Sequence, residues 1–378
     1  MRQEELIARF AEVANDPKGY VLDWKKRTGR KAFGVMACTF GPEELIYASG
    51  ALPVGTWGGN VAPNEAFQYF PTFYCSLLTG TLQLGMQGAY DGVIDAFVCG
   101  TGCDGLQDMM EDWKLAVPSI PVIPCVYPQR RDLEICKQYM IDELRIAGAK
   151  MTEITGQKVT DLLLQKAMYV YNEHNAVMRE FSAVAGDHLD IVTPLVRRNV
   201  FKSARFMDKA EHTELVREFT ELLKSLPAHE FDGVRVVTTG IIIDSEDMLK
   251  AMETNRIGVV GDSVVAETKL YDTDIVNGID LYYQLAQQWC DRKGCSILED
   301  YRKQRGPMIV EQAKACKADA VLVNSLKFCE PEAYDYPIIR RVFAEAGLPE
   351  LHIDIENTYS MNEQAATRMQ AFVEMLGK

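Results

Sequence analysis

Three cysteines, Cys75, Cys103 and Cys329, stand at the same kind of place in the chain. The stretch Lys327-Phe328-Cys329-Glu330-Pro331-Glu332 follows a valine-rich apolar run, Ala320 to Val323, that has the composition of a buried strand. Pro331, with Glu330 and Glu332 beside it, opens a helical pattern running through Arg340 and Phe343. Cys329 is thus expected where a strand's carboxyl end meets a helix N-terminus, among free backbone N–H groups at the positive end of the dipole. A thiol there is expected to have a lowered pKa and to bind metal or act as a nucleophile. Asp95 to Val98 reads as a strand, and Cys99-Gly100-Thr101-Gly102-Cys103-Asp104 follows, with a helix starting near Gly105. Cys103 then stands at a second crossing, and Cys75 heads a helical stretch that reaches about Met86. On pattern alone two readings are open: three buried thiols, since free cysteine is among the most buried residues, or thiolate ligands of one metal centre.

The elements that would position these thiols alternate. Residues 3–28 read as helices broken near Asp16-Pro17, followed by a strand at Ala32 to Ala37 and a helix from Pro42. A strand ending near Pro53-Val54 leads into Gly55-Thr56-Trp57-Gly58-Gly59, where Trp57 is either a loop anchor or the wall of a site. A strand at Val122 to Tyr127 runs into Pro128-Gln129-Arg130-Arg131 and a helix to about Ala147. Arg130 and Arg131 suit either a phosphate or carboxylate ligand or a solvated helix start. Residues 151–228 carry helical spacing only, and their histidines, His174, His188 and His212, read as surface or capping residues. The alternation then resumes, with strands at Val234 to Ile243, Ile257 to Val260, Ala320 to Val323 and His352 to Ile355. Helices are expected at Ile279 to Cys290, Met308 to Cys316 and Glu363 to Met375. The pattern predicts an α/β protein of two Rossmann- or flavodoxin-like parallel-sheet lobes, 1–150 and 229–378, with a helical segment, 151–228, between them. Ligands of such sheets gather at the carboxyl ends of the strands.

With 378 residues, the chain exceeds what one core usually supports. Its formal net charge of −14 argues against nucleic acid or an anionic membrane as partner. The start, Met1-Arg2-Gln3-Glu4-Glu5, opens into an amphipathic helix rather than a secretory leader, so a cytoplasmic setting with reduced thiols is expected for the ten cysteines. No Cys-x-x-Cys pair is present, which favours a centre built from distant loops over a zinc knuckle.

Over essentially its whole length the chain resembles the iron–sulfur subunits of the 2-hydroxyacyl-CoA dehydratases, in particular the smaller, β-type subunit. The resemblance lies in Pro42-Glu43-Glu44-Leu45-Ile46-Tyr47-Ala48-Ser49-Gly50, Leu52-Pro53-Val54-Gly55-Thr56-Trp57-Gly58-Gly59, Phe73-Tyr74-Cys75, Cys103-Asp104 and Pro128-Gln129. It continues in Val170 to His174, Met178 to Phe181, Glu211 to Val216, Lys327 to Glu332, Asp335-Tyr336-Pro337 and Asn362-Glu363-Gln364. It implies one 4Fe-4S cluster held by Cys75, Cys103 and Cys329, with Cys99, Cys125, Cys136, Cys290, Cys295 and Cys316 left as packing thiols. It implies syn elimination of water from an (R)-2-hydroxyacyl-CoA through a ketyl radical, in oxygen-sensitive, anaerobic amino-acid fermentation. This chain's cluster would serve as electron relay or reservoir, with no general base of its own. The implied partners are a larger α-type subunit, an ATP-dependent iron–sulfur activator and the acyl-CoA substrate, with a flavin in the assembled complex as a further candidate. The sequence departs from the family pattern at Tyr127, Gly105, Ser263, Lys269 and Glu356-Asn357, positions expected near the cluster and substrate channel. A benzoyl-CoA-reductase-like or double-cubane reductase is the alternative, and a non-enzymatic two-lobed binding protein the second.

Overall fold

Eight strands form two separate four-stranded sheets, each wholly parallel, in a computed structural model that describes residues 2–36, 39–356 and 363–378. The first holds β1 (Ala32–Met36), β2 (Leu52–Thr56), β3 (Ala96–Gly100) and β4 (Val122–Cys125) in the order β2-β1-β3-β4. The second holds β5 (Val234–Gly240), β6 (Ile257–Val264), β7 (Ala320–Leu326) and β8 (Glu350–Ile355) in the order β6-β5-β7-β8. The two orders are the same permutation, and it is the doubly wound, flavodoxin-like one. Ala37, Asn357 and Asn362, named above, lie outside the described residues.

Parallel strands need crossover connections, and helices supply them. α1 (Arg2–Asn15) and α2 (Pro17–Thr28) precede β1, with Asp16 capping the second as its side chain accepts from Gly19 N–H. α3 (Glu43–Ala48), α4 (Ser76–Met86) and α5 (Asp104–Ala116) connect the first sheet. α6 (Glu134–Thr155), α7 (Asp161–Ala185), α8 (Pro194–Ser203) and α9 (Lys209–Lys224) lie between the sheets in sequence. α10 (Glu246–Thr254), α11 (Leu281–Asp291), α12 (Arg305–Ala315) and α13 (Glu330–Glu345) serve the second sheet, and α14 (Glu363–Met375) closes the chain. None of these helices is long and apolar enough to cross a membrane, among the described residues.

Helices on both faces bury the strands on both faces, so β1, β3 and β7 are buried at every position and read as apolar runs. α6 runs past its expected end at Ala147 to Gly156, whose positive φ of 74° stops it. α10 was not expected from the sequence, although Ser245 caps it and Glu246 and Asp247 open it. An apolar cluster extends from Leu6 of α1 to Phe372 of α14 and spans both sheets.

The two sheets repeat a detail at the start of their third strands. Asp95 accepts from Ala32 N–H at 2.9 Å, and Asp319 accepts from Arg235 N–H at 2.8 Å. Each carboxylate pins the start of a third strand to that of its first. The loops that leave β3 and β7, which carry Cys103 and Cys329, therefore lie at equivalent switch points between first and third strands.

Candidate metal centre

Each of the three cysteines is the N-cap of a helix: Cys75 of α4, Cys103 of α5 and Cys329 of α13. None of the three side chains makes a capping hydrogen bond, and all three residues are half-buried. Cys75 and Cys103 have extended backbones, as N-caps do, and their carbonyls accept the first helical N–H groups, from Leu78 at 3.1 Å and Leu106 at 3.1 Å. Before Cys329 the chain turns through Phe328, at φ 62°, so a non-glycine residue holds the left-handed region there. The Cys329 N–H closes that turn on Leu326 O at 2.9 Å.

The expected lowering of the thiol pKa is not found. Burial pushes the Cys75 thiol up to about 12, although the backbone N–H groups of Leu78 and Leu77 pull it the other way. Burial likewise raises Cys103 against the N–H groups of Leu106 and Gly105. The helix-terminus donors are where the sequence put them, but the apolar surroundings outweigh them.

The Cys103 charge bears on Cys75, and Glu330, the residue after Cys329, bears on both Cys103 and Tyr74. The three helix N-termini thus face a common region. α4 and α5 meet at Gly105, where a Cβ would stand 2.6 Å from Leu78 Cδ1 and 3.1 Å from Tyr74 Cε1. This explains the departure at that position: the Tyr74 ring and Leu78 occupy the space a side chain would need. Tyr74 also donates to Asp108 and stacks on Phe70.

Tyr127, Pro128 and Gln129 fasten the Cys103 loop. Gln129 Nε2 donates to the carbonyls of Thr101 and Gly102, both at 3.1 Å, and Tyr127 N–H donates to Thr101 Oγ1 at 2.9 Å. The Tyr127 ring is buried against Trp289, 4.7 Å between centroids. Arg131 is no anion ligand: it donates to the carbonyls of Trp289, Cys290, Arg292 and Glu299, tying α11 and the loop after it to the first lobe. Arg130 is exposed and paired with Asp132.

Gly102, Cys103 and Gln129 line a cavity of about 430 Å³ together with Cys295, Arg305, Glu330 and Pro331. The departures at Ser263 and Lys269 lie elsewhere. With Asp262 and Thr268 they line a second cavity, of about 1010 Å³, that none of the three cysteines lines. Asp262 and Glu267 there hold the buried guanidinium of Arg197. Glu356 does lie beside the site, paired with Lys327 at 2.8 Å.

Other expectations change. Trp57 is buried, its Nε1 donating to Asp244 at 2.6 Å, so it is an anchor that also walls a cavity of about 450 Å³. The histidines are not surface or capping residues: His174 and His212 are 0% exposed and His188 is buried. His174 Nε2 lies 3.0 Å from His212 Nδ1, and His212 Nε2 lies 3.1 Å from Ser203 Oγ. Beside them Glu43 holds Arg205 and Lys209, and these two cations overcome burial to keep its carboxyl at about 2. The signal for this junction was helical phase, since Tyr171, His174, Asn175 and Met178 fall on one buried stripe of α7.

Among the described residues no three His, Cys, Asp or Glu side chains close on a point as the ligands of a single ion would. A cube of iron and sulfide holds its thiolates on separate corners, further apart than the ligands of one ion. Three soft sulfur donors, each at a helix N-terminus, suit such a cluster better than a hard cation. Cys99 does not belong to the set: it is fully buried and its thiol turns to the carbonyls of Gly100 and Leu106.

The family model for the 2-hydroxyglutaryl-CoA dehydratase D-component matches residues 38–376. The (R)-phenyllactyl-CoA dehydratase beta subunit of Clostridium sporogenes is 41% identical over 97% of this chain and 97% of its own length. The lactoyl-CoA dehydratase subunit beta of Anaerotignum propionicum is 36% identical over 99% of this chain and 100% of its own. The (R)-2-hydroxyglutaryl-CoA dehydratase subunit beta of Acidaminococcus fermentans is 32% identical over 98% and 99%. The chain belongs to the 2-hydroxyglutaryl-CoA dehydratase D-component family.

Proposed function

We propose that this chain is the β-type subunit of an (R)-2-hydroxyacyl-CoA dehydratase, a hydro-lyase, and that Cys75, Cys103 and Cys329 hold a 4Fe-4S cluster. The observation that carries the reading is the recurrence of one arrangement, a cysteine as the N-cap residue of a helix, at three helix N-termini, with Cys103 close enough to bear on Cys75 and Glu330 on Cys103. When bound, the cluster would store and pass single electrons. The chain's own residues present the thiols and direct the N–H groups of Leu77 and Leu78 at Cys75 and of Gly105 and Leu106 at Cys103. The reading includes a larger α-type subunit and an ATP-dependent activator as partners, and lobes at 1–150 and 229–378 about a helical segment.

The test is co-expression with an α-type partner, anaerobic purification, and assay with ATP, reductant, activator and a panel of (R)-2-hydroxyacyl-CoAs. Release of (E)-2-enoyl-CoA supports the proposal. Reduction of an aryl-CoA without dehydration of any 2-hydroxyacyl-CoA would replace it with the reductase reading.

A further inference from the structure

Behind Cys329 lies a buried ionic group that the reading above does not use. Arg305, at the start of α12, is 3% exposed, and Glu332, three residues after Cys329, is 1% exposed. Arg305 Nη1 lies 2.9 Å from Glu332 Oε1 and 3.0 Å from Asp335 Oδ2, and Nη2 donates to Thr239 Oγ1 at 2.9 Å. Thr239, near the end of β5, turns its own hydroxyl proton to Ser263 O at 3.1 Å, which leaves its oxygen free to accept. One guanidinium therefore joins the end of β5 to the first two turns of the helix that Cys329 caps.

The group reaches the other crossing as well. Ser296 donates to Glu332, and the next residue, Ile297, packs on the Cys103 loop: its Cγ2 would stand 2.8 Å from a Cβ at Gly102. Arg305 also lines the cavity that Cys103 lines, and its charge bears on Cys295 in the same wall. Lys303 adds a weaker, exposed cation 3.9 Å from Asp335. Buried charges act on a neighbouring redox centre with little screening, and local charge is one of the levers that set an iron–sulfur potential.

We infer that Arg305 is a positioning residue for the electron-carrying site: through Glu332, Asp335 and Ser296 it fixes the Cys329 and Cys103 crossings together and offsets the buried carboxylate charge behind them. The inference rests on the cluster reading proposed above. It goes beyond packing, because a residue that only packs would not tune the potential by the sign of its charge.

The experiment is an EPR-monitored redox titration of the anaerobically purified complex, with dithionite as electron donor. The signal that disappears in Cys329→Ser is the one assigned to this chain. Arg305→Gln, which removes a positive charge, is expected to move that midpoint potential down. Glu332→Gln, which removes a negative charge, is expected to move it up, and Arg305→Lys to leave it near the wild-type value. If Arg305→Gln does not fold, the upward shift in Glu332→Gln and the retained potential in Arg305→Lys still decide. Shifts of the same sign in the two Gln variants, or no shift in Glu332→Gln, would overturn the inference. Wild-type protein that holds no iron would instead overturn the cluster reading, so the two failures are distinguishable.

Discussion

Cys103 leaves β3 and enters α5, while Cys329 leaves β7 and enters α13, and the two strands hold the same place in sheets of the same order. The first crossing is fastened by neutral hydrogen bonds from Tyr127 and Gln129, and its acidic neighbour, Asp104, is exposed. The second is fastened by the buried charges of Arg305, Glu332 and Asp335 and turns through the left-handed Phe328. The difference teaches that strand order delivers a thiol to a helix N-terminus, whereas neighbouring side chains decide how rigidly and in what field it is held.

The largest expected effect follows from breaking the charged support. Arg305→Met leaves two buried carboxylates without their cation and is expected to cost about 3–5 kcal/mol. Asp104→Asn at the first crossing should stay within about 0.5 kcal/mol. Denaturant midpoints measure both, and equal costs would erase the distinction between the crossings. Gly105→Thr should cost about 1–3 kcal/mol by overpacking Leu78 and Tyr74. A stabilised Gly105→Thr variant would show that α4 and α5 are not so closely joined.

The buried histidine junction is expected to respond to pH. Burial pushes His212 down to about 3 and His174 well below its ordinary value, so the folded protein binds fewer protons there than the unfolded chain. Their stabilising contribution is present above pH 6.5 and is lost as pH falls, by about 1.4 kcal/mol per unit for each histidine. Burial pushes Glu44 up to about 7, which has the opposite sign: it favours the fold below pH 4.5, and that advantage fades as pH rises toward 7. Stability measured between pH 5 and 8 should therefore fall less steeply toward acid in His212→Gln than in the parent. A smaller effect than the loss of Arg305 belongs to Phe328, which is 49% exposed. Phe328→Gly should be more stable than Phe328→Ala by about 1 kcal/mol, because only glycine takes φ 62° without strain.

Much of this was legible in the sequence. A valine-rich run with Cys329-Glu330-Pro331 after it marked the second crossing, and Asp95 to Val98 with Cys103-Asp104 after it marked the first, because strand composition and helix-start chemistry are local. The parallel-sheet architecture followed from alternation, since parallel strands need helices between them. The histidines were misread because polarity was weighed before phase: His174 shares its helix face with Tyr171 and Met178, and His212 with Val216 and Phe219. The Arg305 group was not legible, because its members stand on β5, α12 and α13 and meet only in the fold. The thiol pKa values went the same way, for burial is a property of the packed protein that helix position does not reveal.

The most direct test of the account is the iron and acid-labile sulfide content of the anaerobically reconstituted chain, measured for the parent and for serine variants of its cysteines. The account predicts about four irons per chain, loss of most of them in Cys75→Ser, Cys103→Ser and Cys329→Ser, and retention in Cys99→Ser and Cys316→Ser. An iron-free parent, or full iron content in all three of the first set, would contradict it.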